Sequence, residues 1–175
     1  TMMAFEKYLL EYSPQLVIVV GDVNATLACA IAASKCKIKV AHVESGLRSF
    51  DRKMPEEINR LLTDTISDYL YTPTIQAGEQ LLSEGVSKEK IIFVGNIMID
   101  TLYAFKDRAI QLNYATQLGI NCDYSVLTLH RPSTVDNKEM FNLVLTALSK
   151  ISNKMTIVFP AHPRTKSIIK NLNVK

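Results

Sequence analysis

Leu16-Val17-Ile18-Val19-Val20, followed at once by Gly21-Asp22-Val23-Asn24 and the alanine-rich run 25–35, is the stretch that decides the fold. A continuous β-branched run suits a strand buried on both faces, as strands of parallel sheets are. The glycine and its polar neighbours turn the chain. The alanines favour helix, with Asn24 as the expected N-cap. Strand, tight turn and helix in that order open a right-handed βαβ unit.

The same alternation extends outward. Upstream, Phe5, Leu9 and Tyr12 recur at helical spacing and stop before Ser13-Pro14. Downstream, residues 38–43 predict a second strand and 45–55 a loop. From Glu56 onward, Ile58, Leu61, Leu62, Thr65, Ile66 and Tyr69 share one helical face, and Glu57, Arg60, Asp64 and Asp68 the other. Tyr69–Thr72 reads as a short strand, Thr74 as the cap of a helix that stops near Gly85, and 91–94 as the next strand. Gly95-Asn96 ends this series. Residues 97–112 predict a longer helix, and the polar stretch 113–122 a loose crossover. A second series then begins: strand 124–129, loop 130–137, helix 138–151, strand 156–160, a turn at 162–164 and a last helix. Both ends of the sequence look like cuts, so the chain is expected to be the middle of a longer two-domain protein.

Composition sets the outer limits. The chain has 175 residues, 47% of them hydrophobic, enough for a substantial core. No apolar run approaches membrane-spanning length, and no signal segment opens the sequence. The net charge of +3 comes from 20 basic and 17 acidic residues. That balance tolerates an anionic small ligand, and the scattered lysines do not form the clustered basic face of a nucleic-acid binder. Cys29, Cys36 and Cys122 are odd in number and show no metal-ligand spacing, which points to small thiols in a cytosolic protein.

In open parallel sheets, ligands bind beyond the carboxyl ends of the strands. That rule selects Asp22 after the first strand, Glu44 after the second, and His130-Arg131 and His162 after those of the second series. Each has an ordinary explanation: an Asx turn or cap for Asp22, a loop acid for Glu44, a turn histidine for His130. Their coincidence at strand exits is what suggests chemistry. Glu56-Glu57 follows Pro55 at a helix start, where the dipole favours acids in any case. Glu57 also pairs sensibly with Arg60 at i,i+3. That makes Glu56 the better candidate for an active acid and Glu57 for a structural one, though position alone leaves both open. Carboxylates that share a cleft can have their pKa values driven apart, giving an acid and a base together. His130-Arg131 suits an anionic leaving group. The sequence holds no G-x-G-x-x-G, no Walker loop and no nucleophile elbow.

Val20-Gly21-Asp22-Val23-Asn24-Ala25-Thr26, His42-Val43-Glu44-Ser45-Gly46-Leu47-Arg48, Pro55-Glu56-Glu57-Ile58-Asn59-Arg60, Gly95-Asn96-x-x-Ile99-Asp100 and Leu129-His130-Arg131 together resemble the non-hydrolysing UDP-N-acetylglucosamine 2-epimerases. The resemblance implies an α/β fold of two Rossmann-like domains in a glycosyltransferase-B-like arrangement, both incomplete in this chain. Residues 1–97 would be the C-terminal part of the first domain, 98–122 the crossover helix and linker, and 123–175 the start of the second. The implied activity is interconversion of UDP-N-acetylglucosamine and UDP-N-acetylmannosamine by elimination and re-addition of UDP, serving cell-surface polysaccharide precursors. Alternatives are an epimerase of a related UDP-diacetamido sugar and an inactive nucleotide-sugar-binding fragment.

By the same resemblance, Asp22, Glu44, Glu56 and His130 match the catalytic residues, and Arg48, Arg131 and His162 the substrate, UDP or regulatory positions. No metal or other cofactor is implied. Expected partners are a UDP-sugar substrate, UDP-N-acetylglucosamine as a regulator, and a second copy in a homodimer; nucleic acid and membrane are not expected. The family commonly carries a Glu-Asn pair two residues after the His-Arg pair, where this chain has Pro132-Ser133-Thr134.

Overall fold

The computed structural model describes residues 1–129 and 131–171; of Pro132, Ser133, Arg164, Lys170 and Asn171 the backbone alone is described. In chain order the elements are α1 (Met2–Tyr12), β1 (Leu16–Val20), α2 (Asn24–Lys35), β2 (Lys39–Val43), α3 (Pro55–Ile66), β3 (Tyr69–Thr72), α4 (Ile75–Ser83), β4 (Ile91–Phe93) and α5 (Ile97–Leu112). They continue with α6 (Tyr114–Gln117), β5 (Tyr124–Val126), α7 (Pro132–Val135), α8 (Lys138–Ser152), β6 (Thr156–Val158) and α9 (Pro163–Asn171). The chain divides into two units, Thr1–Asp107 and Arg108–Lys175, so the division falls inside α5. Each is α/β with parallel strands, the class the alternation predicts.

In the first unit the sheet order is β1-β2-β3-β4, all parallel, with Val20 opposite Val43 in register. This is what right-handed crossovers through α2, α3 and α4 produce. The core gathers Leu9 from α1, Val17 and Val19 from β1, Ala30, Ala32 and Ala33 from α2, and Val40 from β2. Alanine is what lets α2 approach the sheet and its neighbouring helices so closely. In the second unit β5 and β6 pair parallel, and Thr165 Oγ1 donates to the Leu129 carbonyl at 3.4 Å, tying the first turn of α9 to the β5 exit.

Several local expectations change. β1 is not buried on both faces: Val17 and Val19 are buried, while Ile18 is 62% exposed. Leu9 of α1 and Ala30, Ala32 and Ala33 of α2 gather on the Val17 and Val19 side of the strand. Asn24 does not cap α2 but is its first residue, and its Oδ1 accepts from Asn59 Nδ2 at 3.0 Å. Thr74 does cap α4, accepting from the Ala77 N–H at 3.1 Å. β5 and β6 are shorter than predicted, and one-turn helices α6 and α7 occupy stretches expected as loop.

The largest change is α3, whose polar face turns inward. Glu57, Asn59, Thr63 and Asp64 are buried, while Leu62 is 47% exposed. Burying carboxylates is unfavourable unless each is paired or hydrogen-bonded, and here each is. Free thiols are found at Cys29, Cys36 and Cys122. No helix among the described residues is long and apolar enough to cross a membrane.

Candidate active site

The exits of β1 and β2 lie side by side, because their last residues are register partners and the Gly21 N–H donates to the Val43 carbonyl at 3.1 Å. Asp22 and Glu44 therefore leave the sheet at one place. Gly21 takes φ +69°, and a methyl group placed on it would lie 3.6 Å from Glu44 Oε2. The Glu44 carboxylate thus rests over the turn that carries Asp22. Glu44 itself sits in the left-handed region at φ 71°, uncommon for a residue with a side chain. Its N–H and that of Ser45 both donate to the Tyr71 carbonyl at 3.1 Å.

Asp22 is held from α3. Arg60 Nη2 forms an ion pair with Asp22 Oδ2, and Asn59 Nδ2 donates to the Asp22 carbonyl at 2.7 Å. Glu56 precedes Asn59 and Arg60 by three and four residues, so it shares their face of α3, one turn nearer the helix start. It is half-buried. The structure therefore gathers Asp22, Glu44 and the α3 face bearing Glu56 at one end of the first sheet.

Glu57 has a different task. Its Oε2 accepts from the Ser49 N–H at 2.8 Å, the Ser49 hydroxyl at 3.0 Å and Arg60 at 3.2 Å, and its Oε1 from the Phe50 N–H at 3.0 Å. Burial pushes the Glu57 carboxyl up, but these donors outweigh it and hold the group below the ordinary glutamate value. Glu57 pins the loop that joins Glu44 to Glu56.

Arg48, expected at a substrate or regulatory position, has other partners. Its side chain is 2% exposed; it forms an ion pair with Asp64 at 2.7 Å and grips both oxygens of Glu84 at 2.8 and 2.6 Å. Burial works against the charge, yet the Glu84 and Asp64 carboxylates keep the guanidinium pKa above its usual value. The same Arg48 hydrogen bonds hold Glu84 below the usual range, with Gln80 assisting. Next to it, Gly46 at φ +79° lies so close to α4 that a Cβ would come within 2.4 Å of the Ala77 carbonyl oxygen.

Asp64 and His42 are the residues sequence reasoning missed. His42 is fully buried in β2, with Nδ1 2.6 Å from Asp64 Oδ1 and Nε2 2.9 Å from the Gly21 carbonyl. Asp64 Oδ2 also accepts from the Gly46 N–H at 3.1 Å. The available signal was the histidine itself: a polar ring inside a buried strand needs two partners, and α3 was the element able to supply one.

In the second unit, Arg131 follows β5 and His162 precedes α9 after β6, and both are exposed. The parallel pairing of β5 with β6 puts their exits at the same end of that sheet. His130 lies outside the described residues. Among the described residues no group of three or more His, Cys, Asp or Glu side chains could hold a metal ion.

Comparison with known proteins adds the context of this geometry. The family model for UDP-N-acetylglucosamine 2-epimerase matches residues 1–175. The Methanocaldococcus jannaschii UDP-N-acetylglucosamine 2-epimerase is 47% identical, over 99% of this chain and 49% of its own length. A Pseudomonas aeruginosa UDP-2,3-diacetamido-2,3-dideoxy-D-glucuronate 2-epimerase is 42% identical, again over 99% of this chain and 49% of its own. The crystal structure of the M. jannaschii enzyme in complex with UDP-GlcNAc and UDP superposes with a TM-score of 0.88 at 45% identity, covering 98% of this chain and 49% of that one. The chain spans about half the length of the curated relatives it matches.

Proposed function

Because this chain belongs to the UDP-N-acetylglucosamine 2-epimerase family, matched along its whole length, we propose that the complete polypeptide interconverts UDP-N-acetylglucosamine and UDP-N-acetylmannosamine. The observation that carries the reading is the convergence of Asp22 and Glu44 on adjacent strand exits, with Glu44 Oε2 lying over Gly21. Inverting C2 requires a proton to leave one face of the sugar and another to arrive on the opposite face. Two or more carboxylates at one sheet end are suited to that exchange.

The steps balance without an oxidant. A carboxylate among Asp22, Glu44 and Glu56 takes the C2 proton, the C1–oxygen bond to UDP breaks, and a C1=C2 double bond forms. A carboxyl group then returns a proton to C2 from the other face, and the UDP oxygen re-forms its bond to C1. The C2 proton is weakly acidic, so the base must act where water is scarce, and the departing diphosphate needs positive or proton-donating groups. We assign the latter role to His130 and Arg131, with His162 as a further ligand contact. Asp22, ion-paired to Arg60, is the carboxylate best fixed in place. Arg48, with its Asp64 and Glu84 partners, is assigned to holding the loop rather than to the substrate.

A second reading has a specific support: the 42% identical P. aeruginosa relative is named for a UDP-diacetamido-glucuronate. Turnover of both sugar nucleotides by the complete polypeptide, followed by anomeric proton NMR, decides between them. Epimerisation of UDP-N-acetylglucosamine alone supports the first reading, preference for the diacetamido uronate supports the second, and turnover of neither removes both. We further read the complete protein as a cytoplasmic homodimer serving cell-surface polysaccharide synthesis, with UDP-N-acetylglucosamine also acting as a regulator; light scattering tests the dimer.

A further inference from the structure

We propose that Asp64 and His42 form one positioning unit that fixes the spacing between Asp22 and Glu44; the proposal rests on the epimerase reading above, in which those two carboxylates act on the sugar. His42 is fully buried near the carboxyl end of β2, so both of its nitrogens must find partners within the protein. Nε2 faces the Gly21 carbonyl, which can only accept, so Nε2 is the nitrogen that carries the hydrogen donated there. Nδ1 faces Asp64 Oδ1, which fixes the plane of the ring.

The other oxygen of Asp64 reaches the loop that follows Glu44. Asp64 Oδ2 accepts from the Gly46 N–H at 3.1 Å and pairs with Arg48 at 2.7 Å, and Arg48 is anchored in turn by Glu84 at the end of α4. One buried carboxylate thus holds the loop just after Glu44 directly, and the turn just before Asp22 through His42. Gly21 and Asp22 share a peptide bond whose carbonyl oxygen is the atom His42 grips, so rotation of that peptide would re-aim Asp22. Glu44 keeps its left-handed φ of 71° between these two anchors. Strain of this kind persists only where the surroundings over-determine it, and it concentrates at functional sites. The facing charged groups are Asp64 on α3 and, beyond it, Arg48 and Glu84.

The test uses the complete polypeptide. In His42→Asn the amide replaces the Nδ1 contact to Asp64 but falls short of Gly21; in His42→Gln it sits near the Nε2 position and reaches the Gly21 carbonyl. We expect His42→Asn to lower kcat by about a hundredfold, the scale of an ångström-sized misplacement, with KM for the UDP-sugar little changed, and His42→Gln, which restores the Gly21 contact without the Asp64 one, to recover part of it. Asp64→Asn, which keeps the shape and removes the charge, is the second variant and should also lower kcat without raising KM. Equal losses in His42→Asn and His42→Gln, or losses confined to KM, overturn the proposal. A separate arm needs no turnover: nitrogen-15 spectra of histidine-labelled protein should show a hydrogen on His42 Nε2, and a bare Nε2 also overturns it. If the unaltered protein turns over neither sugar nucleotide, the functional reading fails, while the spectra still decide the hydrogen-bond unit.

Discussion

Replacing Glu57 by glutamine tests whether the inward-facing acids of α3 hold the loop between Glu44 and Glu56. The carboxylate accepts four hydrogen bonds, from the Ser49 N–H and hydroxyl, the Phe50 N–H and Arg60, and the side chain is 2% exposed. Glutamine keeps one oxygen but places an NH2 against a donor, and the remaining bonds lose their charge assistance. Charged hydrogen bonds contribute about 1.5–3 kcal/mol each against about 0.5–1.5 for neutral ones. Ser49 and Phe50 are exposed and can turn to water, which discounts the sum to roughly 2–4 kcal/mol.

Urea unfolding at neutral pH reads this directly: with a slope of about 2 kcal/mol per molar, the midpoint falls by roughly 1–2 M. The pH dependence supplies a second signature. The folded pKa of Glu57 is depressed below its ordinary 4.5, so its contribution is fully present above that value and is lost as pH falls through the folded pKa. The gap between the parent protein and Glu57→Gln should therefore close in acid. A midpoint change under about 0.3 M, or a gap that stays constant from neutral pH into acid, would refute the reasoning.

Gly46→Ala should be among the most damaging single changes. The left-handed φ alone costs about 1–3 kcal/mol, and the added methyl would meet the Ala77 carbonyl oxygen at 2.4 Å. Thermal denaturation should show a large fall in Tm, whereas a nearly unchanged Tm in this variant would mean the loop is not pressed against α4. Arg48→Lys keeps the charge but cannot span Asp64 and both oxygens of Glu84. We expect a stability loss of about 1–3 kcal/mol without a selective rise in KM for the UDP-sugar, measured by paired denaturation and kinetics. Glu84→Gln should remove part of the acid sensitivity, because the Glu84 pKa is lowered mainly by Arg48 and its contribution is lost below the ordinary carboxylate range; urea titrations across pH check it.

The parts of the fold that were legible follow from backbone chemistry alone. The Leu16–Val20 strand, the α4 cap at Thr74 and the whole of α5 appear where periodicity and turn residues put them. α3 lies where expected and packs Ile66 on the core, but the burial of its polar face is not legible, because apolar periodicity finds the face that water rejects and does not recognise acids whose cost of burial is met by specific donors. Glu57 is the structural acid that its spacing to Arg60 suggests, and the i,i+3 pair is present; the burial of Asp64 carries no such local signal, and the partners of both, Ser49, Phe50, His42, Gly46 and Arg48, are scattered through the preceding strand and loop. Arg48 illustrates the same limit. The family resemblance alone puts Arg48 at a substrate, UDP or regulatory position, and nothing local reveals that Asp64 and Glu84, far along the chain, already surround it.

The central claim is that the carboxylates gathered at the first sheet's carboxyl end exchange the C2 proton of a UDP-sugar. Incubating the complete polypeptide with UDP-N-acetylglucosamine in D2O and following C2 by NMR tests it most directly. Deuterium should appear at C2 with the unaltered protein, and exchange should be slowed by about 10²–10⁴ in at least one of Asp22→Asn, Glu44→Gln and Glu56→Gln while the fold is retained. No exchange at high enzyme concentration, or undiminished exchange in all three variants, would contradict it.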